Sequence, residues 1–204
     1  MYALVEDGSI SKLITNPKAM VIGDVRYPAK IFQLWSQSEL NAIGIYEVIT
    51  DSSNFKDEKW YINTNESYAF ADNQVTRSWG TATPKAHADS NAVDDDGNNI
   101  LDDDGNQVIN YGLKTQLIKT IKQQASGLLA PTDWYVVKAS EVSDYSVPTN
   151  IATYRASVRT KSNEMETAIT NASDTPALET LYTYTEQEDG SVTRPLGELP
   201  TLEI

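Results

Sequence analysis

The chain has 204 residues, of which 40% are hydrophobic, and a formal net charge of −13 at neutral pH. It contains no cysteine, which excludes disulfides, thiolate catalysis and the common structural zinc sites. The single histidine, His87, leaves no partner for a His-based metal site or a catalytic triad. The excess of acidic residues disfavours nucleic acid and anionic membranes as partners.

No segment approaches the length of about 20 apolar residues that a membrane-spanning helix needs. The first residues, MYALVEDGSI, lack the basic and apolar regions of a secretory signal. We therefore expect the protein to be made and folded in a cytoplasm.

Residues 1–86 predict a small antiparallel β domain. Segments 2–6 and 9–14 flank Asp7 and Gly8, and this pair is a hairpin signal because glycine tolerates positive φ angles. We expect a two-residue turn here.

The next part of this domain predicts one more strand and a short helix. Segment 25–35 is rich in β-branched and aromatic residues and is predicted as a strand, with Pro28 at an edge or a bulge. Ser36 and Glu39 have capping-box spacing, which predicts a short helix that Gly44 ends.

A further strand at 45–49 and a β-meander complete the predicted domain. The meander carries large aromatic side chains, which either fill a thin core or form a docking or sugar-stacking face; core packing is the favoured interpretation. They are Trp60, Tyr61, Tyr68, Phe70 and Trp79.

Residues 87–112 predict an acidic connector or β-ribbon. They include a repeat of period eight, VDDDGNNI followed by LDDDGNQV. Calcium binding is one interpretation, but the sixth and twelfth positions of an EF-hand loop are not matched, so turn formation is favoured over a metal site. The acidic residues are Asp89, Asp94, Asp95, Asp96, Asp102, Asp103 and Asp104.

Residues 113–172 predict a helical hairpin. Apolar residues recur with helical spacing over 113–130, a segment that has lysines and no acid. This basic helix could pair with the acidic connector, within the chain or between subunits. A second amphipathic helix runs from 148 or 149 to about 172, and Trp134 is expected to be buried between the two. Such a hairpin is small enough to need a neighbour to cover its apolar surface.

Residues 173–204 predict an extended C-terminal tail. Asp189 and Gly190 give another hairpin signal. Leu199, Leu202 and Ile204 follow at strand-like or irregular spacing, and we expect a partner chain to hold this segment, for example by strand addition.

The order of motifs in the second half resembles a family of known proteins. Asp133 and Trp134 are followed by Tyr154, Arg155 and Arg159, a D-W pair and then a Y-R-x-x-V-R run. This order resembles the C-terminal helical region of tailed-phage tail-fibre assembly and tail-associated proteins. Residues 23–48 also look like the N-terminal segment of such proteins, whereas the acidic repeat is not a feature of that family.

The resemblance implies roles for these residues. Trp134 and Tyr154 are expected to lock the two helices together, while Arg155 and Arg159, four residues apart, present guanidinium groups to carboxylates of a partner. The alternative is that both arginines pair with Glu141 or Asp144 in the same chain.

The expected fold class is therefore α+β, and the expected function is structural. We expect a non-enzymatic component of a phage virion, in the tail, baseplate or tail-fibre attachment, that needs no cofactor or metal. Its partners would be other phage tail or fibre proteins in a homo-oligomer or multi-chain complex. The alternative is a tail-fibre assembly chaperone that leaves the particle. A glycan hydrolase with two carboxylates is disfavoured because the aspartates lie in a turn-rich, solvated segment.

Overall fold

The structure, a computed structural model, describes residues 1–202 and is mixed α+β. It divides into two compact units, Met1–Thr83 and a second unit that begins at Pro84. The helices and strands of the first unit are β1 (Tyr2–Glu6), β2 (Ser9–Ile14), β3 (Met20–Ile22), β4 (Val25–Tyr27), α1 (Ile31–Leu34), α2 (Gln37–Ala42), β5 (Ile45–Thr50), β6 (Tyr61–Ile62), β7 (Ser67–Ala71) and β8 (Gln74–Ser78); β9 (Thr83–Pro84) contains the boundary.

The main sheet of the first unit has the strand order β2-β1-β5-β8-β7. It is mixed rather than antiparallel as predicted, because β5 pairs with β8 in parallel. The chain between these strands does not return by a hairpin, and β7 is added beyond β8. Strand β1 lies between β2 and β5, so the first strand is held by pairing within the chain.

Two local signals are confirmed in this unit. Asp7 and Gly8 have φ values of 51° and 76°, as a two-residue hairpin turn requires. Ser36 and Glu39 form both hydrogen bonds of the capping box, with the Ser36 amide donating to Glu39 Oε2 at 2.7 Å. Gly44 follows α2 with a φ of 81°.

The prediction of a strand over residues 25–35 is confirmed only for the first three residues and is wrong for the rest. Only Val25–Tyr27 is a strand, and Ile31–Leu34 forms a helical turn. The turn places Ile31 in the core while Phe32 stacks on Tyr2, with ring centroids 5.1 Å apart. Packing against the sheet therefore overrides the β propensity of these residues.

The aromatic residues of the meander divide between the core and its margin. Trp60 and Tyr61 are buried, as the core interpretation predicts. Trp79 packs edge-on against Phe55, with centroids 4.8 Å apart, and Arg77 lies over its ring.

The second unit contains α3 packed against α5, and both are helices that the sequence predicts. Residues 133–141, between the two predicted helices, form an additional helix. The elements are β10 (Ser90–Asn91), β11 (Ile109–Asn110), α3 (Leu113–Leu129), a 3₁₀ turn (Ala130–Thr132), α4 (Asp133–Glu141), α5 (Thr149–Asn171), α6 (Thr175–Tyr182), β12 (Thr185–Glu186) and β13 (Val192–Thr193).

The extended tail predicted from residue 173 is wrong in its first part. Asp174 caps α6 by accepting a hydrogen bond from the amide of Ala177 at 2.8 Å, and Pro176 lies in the first turn. Leu178 is completely buried. The hairpin predicted at Asp189 and Gly190 is confirmed, as β12 and β13. Ile204 lies outside the described residues.

The acidic repeat forms two hairpins, 93–99 and 101–107, which we call the acidic arms. The β10–β11 pair forms a third ribbon that leads into α3. The three ribbons meet at Ala92, Ile100 and Val108, which are joined by a closed ring of backbone hydrogen bonds. The Ala92 amide donates to the Val108 carbonyl at 2.8 Å, Val108 donates to Ile100 at 2.9 Å, and Ile100 donates to Ala92 at 2.9 Å.

The first aspartate of each repeat shapes its turn. The Asp94 carboxylate accepts hydrogen bonds from the amides of Asp96 and Asn98, and Asp102 accepts the equivalent bonds from Asp104 and Asn106. This agrees with turn formation, the favoured interpretation. Among residues 1–202, no group of three or more acidic or histidine side chains is arranged to hold a metal ion.

These hydrogen bonds make the acidic arms sensitive to acid. The amides of Asn98 and Asn106 stabilise the ionised carboxylates, so the pKa values of Asp94 and Asp102 lie below their ordinary value. The stabilisation is fully present above the ordinary carboxyl pKa and is lost as the pH falls through the lower pKa of the folded arms. We expect the amide NMR signals of Asn98 and Asn106 to titrate with midpoints below that of an ordinary aspartate.

The variant Asp94→Asn is the control for this titration. It keeps a side-chain oxygen that accepts hydrogen bonds but removes the ionisable group. The Asn98 signal should then stay constant with pH while the Asn106 signal still titrates. Midpoints at or above the ordinary aspartate value would contradict the expected result.

Candidate protein–protein interface

The corner between α3 and α4 is built from a proline turn and a buried threonine. Pro131 lies in the 3₁₀ turn, where its missing amide hydrogen costs no helical hydrogen bond. Thr132 is buried, and its hydroxyl donates to the carbonyl of Leu129 at 2.7 Å. The chain therefore leaves α3 through a fixed turn and begins α4 at Asp133.

Arg155 of α5 stabilises this corner through hydrogen bonds and an ion pair. Its side chain is 7% exposed, and Nη1 donates to the Leu129 carbonyl at 3.0 Å and to the Thr132 hydroxyl at 2.6 Å. Nη2 lies 2.7 Å from Oδ1 of Asp133. One guanidinium thus bonds to three residues of the corner, Leu129, Thr132 and Asp133. The planar arrangement of its donors makes this possible.

The alternative, in which Arg155 and Arg159 both pair with Glu141 or Asp144, is wrong. Arg155 pairs with Asp133, at the first turn of α4, where a negative charge also suits the helix dipole. Arg159 is exposed and has no carboxylate partner among residues 1–202; its Nη1 donates to the Arg155 carbonyl at 3.4 Å.

Tyr154 joins the helices as predicted. It is buried in a cluster with Ala125 and Val158, and its hydroxyl donates to the Leu128 carbonyl at 3.3 Å. Leu199 and Leu202 pack against the same cluster. The segment up to residue 202 therefore has contacts with α3 and α5 of its own chain, and strand addition to a neighbour stays a prediction.

Trp134 is not buried, contrary to the prediction. Its side chain is 51% exposed, and its ring lies against Tyr135 with centroids 3.8 Å apart. The physical reason is that Asp133 points back to Arg155, which turns the next position of the helix away from the α3–α5 contact. Trp134 does not join the two helices.

Helix α4 exposes several large apolar side chains. Val136 and Val137 are 44% and 52% exposed, Val142 just beyond the helix is also exposed, and no residue of α4 is buried. Single exposed apolar residues are ordinary on a protein surface, whereas four large ones within nine residues are not. Trp134 and Val137 are three residues apart and share one side of the helix. We call Trp134, Val136, Val137 and Val142 the α4 patch.

A polar groove of about 400 Å³ lies beside the start of α4. Its walls include Asp133, Arg155 and the exposed Arg159, together with Lys122 and Asn163. Arg159 can therefore donate hydrogen bonds to an acidic group that docks next to the patch. The patch and the groove together have the composition of an interface, with apolar and aromatic residues at one side and arginine at the other.

Comparisons with known proteins give no match: no family model, curated protein or solved structure matches the chain. Among the described residues, no helix has the length and apolar character needed to cross a membrane.

Proposed function

We propose that the chain is a non-enzymatic structural component of a tailed-phage virion, in the tail, baseplate or tail-fibre attachment. The observation that carries the proposal is the α4 patch, which begins at the D-W pair on which the family resemblance rests. An uncovered aromatic and aliphatic surface on a short rigid helix suits a stable contact with another protein. The partners are other phage tail or fibre proteins.

Arg159 supports the same proposal. It is the exposed member of the Y-R-x-x-V-R run, and it leaves its guanidinium donors available beside the patch. Arg155 has a different role, because its guanidinium donates hydrogen bonds to acceptors within the chain. In this proposal Arg155 positions α4, and Trp134 and Arg159 contact the partner.

The double variant Trp134→Ala, Val137→Ser tests the patch. Both side chains are half exposed, so the free energy of unfolding should change by less than about 1 kcal/mol. Incorporation into phage particles should fall about tenfold or more, because a central aromatic anchor of an interface contributes at least 1 to 2 kcal/mol. Mass spectrometry of particles purified from a phage that carries the variant gene measures the incorporation.

Val21→Ser is the matched control. Val21 is exposed on β3 in the first unit, so this variant removes an exposed apolar side chain that is not part of the α4 patch. It should be incorporated as the wild type is. Absence of the wild-type chain from purified particles would overturn the structural role.

The α4 patch also suits the alternative, a tail-fibre assembly chaperone that is not retained in the virion. A client-binding surface must be apolar and accessible in the free protein, as this patch is. Co-expression that raises the solubility of a fibre protein, with no copy of the chain in mature particles, would favour the chaperone. The Trp134→Ala, Val137→Ser variant should then lose the solubilising effect.

A further inference from the structure

The acidic arms have no electrostatic partner in their own chain. Asp94 and Asp102 bond only to neighbours within their turns, and none of the six arm carboxylates forms an ion pair among residues 1–202. At the base of the arms Val93, Ile100 and Leu101 are exposed, between 42% and 56%. The arms therefore present an apolar centre with an acidic rim.

Helix α3 carries a surface that is basic where the acidic arms are acidic. A shallow groove of about 630 Å³ runs along it, lined by Ile118, Lys119, Lys122 and Gln123 with Thr115 and Ser126. Ile118 gives the groove an apolar centre, and the helix has no acidic residue. Lys119 has no carboxylate partner among the described residues, and Lys122 reaches Glu166 at 3.3 Å while remaining largely exposed.

The two surfaces are not joined within one chain. The β10–β11 ribbon runs directly into α3, and Asp89 fixes this connection by accepting hydrogen bonds from the Gly112 amide and the Thr115 hydroxyl, both at 2.8 Å. No hydrogen bond or ion pair among residues 1–202 links an arm carboxylate to a lysine of α3.

We propose that the α3 groove binds the acidic arms of a second copy of this chain. Opposite charge at the rim and apolar surface at the centre match on the two sides, which is the arrangement that selects one partner and one orientation. The whole chain has a charge of −13, so copies repel each other in general, and a basic surface is where two copies attract each other electrostatically. The proposal goes beyond the virion role and does not depend on it.

A charge-swap experiment with the full chain tests this contact. One variant replaces Asp95, Asp96, Asp103 and Asp104 by lysine, which makes the arms basic and leaves the turn-forming Asp94 and Asp102 unchanged. The other, Lys119→Glu with Gln123→Glu, makes the groove acidic and leaves the Lys122–Glu166 pair unchanged. Analytical ultracentrifugation at about 0.1 M salt, where the screening length is about 10 Å, measures the association.

The wild type should form dimers or larger assemblies. Each variant alone should associate about tenfold more weakly or worse, because its arms and its groove then carry the same charge. An equimolar mixture of the two variants should regain association, since basic arms meet an acidic groove. Lys30→Glu, which changes a lysine of the first unit, is the control and should associate as the wild type does.

Three results would overturn the proposal. The first is a wild-type chain that stays monomeric, which would leave the virion proposal unaffected because other tail proteins could still bind the α4 patch. The second is wild-type association that neither charge-swap variant weakens. The third is loss of association that mixing does not restore, with circular dichroism showing that both variants are folded.

Discussion

Arg155→Met is expected to lower the free energy of unfolding by about 2–4 kcal/mol. The guanidinium is buried and donates to the Leu129 carbonyl, the Thr132 hydroxyl and the Asp133 carboxylate. Methionine fills part of the space but donates no hydrogen bond, so the buried Thr132 hydroxyl loses its donor and the Leu129 carbonyl keeps only the hydrogen bond from Thr132. Urea denaturation followed by circular dichroism measures the change.

Two variants separate the contributions to this effect. Asp133→Asn removes only the carboxylate, whose side chain is 60% exposed, and should cost less than about 1 kcal/mol because water replaces the ion pair. Arg159→Met removes the exposed arginine one helical turn away and should cost less than about 0.5 kcal/mol. Equal losses for Arg155→Met and Arg159→Met would contradict the assigned role of Arg155 in holding the corner.

Gly112→Ala is expected to cost about 2–3 kcal/mol. A Cβ atom at this position would overlap the carbonyl carbon and oxygen of Ala88 and would lie 2.8 Å from the His87 oxygen. These are backbone atoms, so the start of α3 or the 87–88 segment has to move, and the hydrogen bond from the Gly112 amide to Asp89 is disturbed. The φ angle of −75° suits alanine, so the whole expected loss of stability comes from the clash.

Gly127→Ala is the matched control in the same helix. Nothing lies within 4 Å of its Cβ position, and the residue is inside α3. Alanine should therefore raise the free energy of unfolding by about 0.5–1 kcal/mol through its higher helix propensity. Thermal and urea denaturation of the two variants should shift in opposite directions. A shift in the same direction would contradict the described packing around Gly112.

Local signals in the sequence account for much of the fold. The turn at Asp7 and Gly8 and the capping box at Ser36 depend only on neighbouring residues, and both are present. The long helices α3 and α5 follow from apolar periodicity, which a sequence shows directly. Asp174 followed by Pro176 is also a local helix-start signal, and it would have identified α6.

The predictions that were wrong concern features that depend on contacts between residues far apart in the sequence. The parallel pairing of β5 with β8 joins strands that no hairpin signal connects. The position of Trp134 depends on Arg155, whose pairing with Asp133 no spacing rule predicts. The D-W-Y-V-V segment is β-branched and aromatic, so its composition favoured neither a helix nor an exposed location. The candidate interface could thus be located in the sequence, but its buried and exposed members could not be distinguished.

The ring of backbone hydrogen bonds at Ala92, Ile100 and Val108 allows one eight-residue repeat to be deleted. Removal of residues 93–100 would leave Ala92 facing Val108, with each amide donating to the carbonyl of the other, as in any regular antiparallel ladder. The branched junction would become one longer unbranched hairpin with its backbone groups still satisfied. An eight-residue unit can therefore be lost without opening the ribbon that feeds α3, whereas a one-residue shift of register would turn every side chain of a strand to the opposite face.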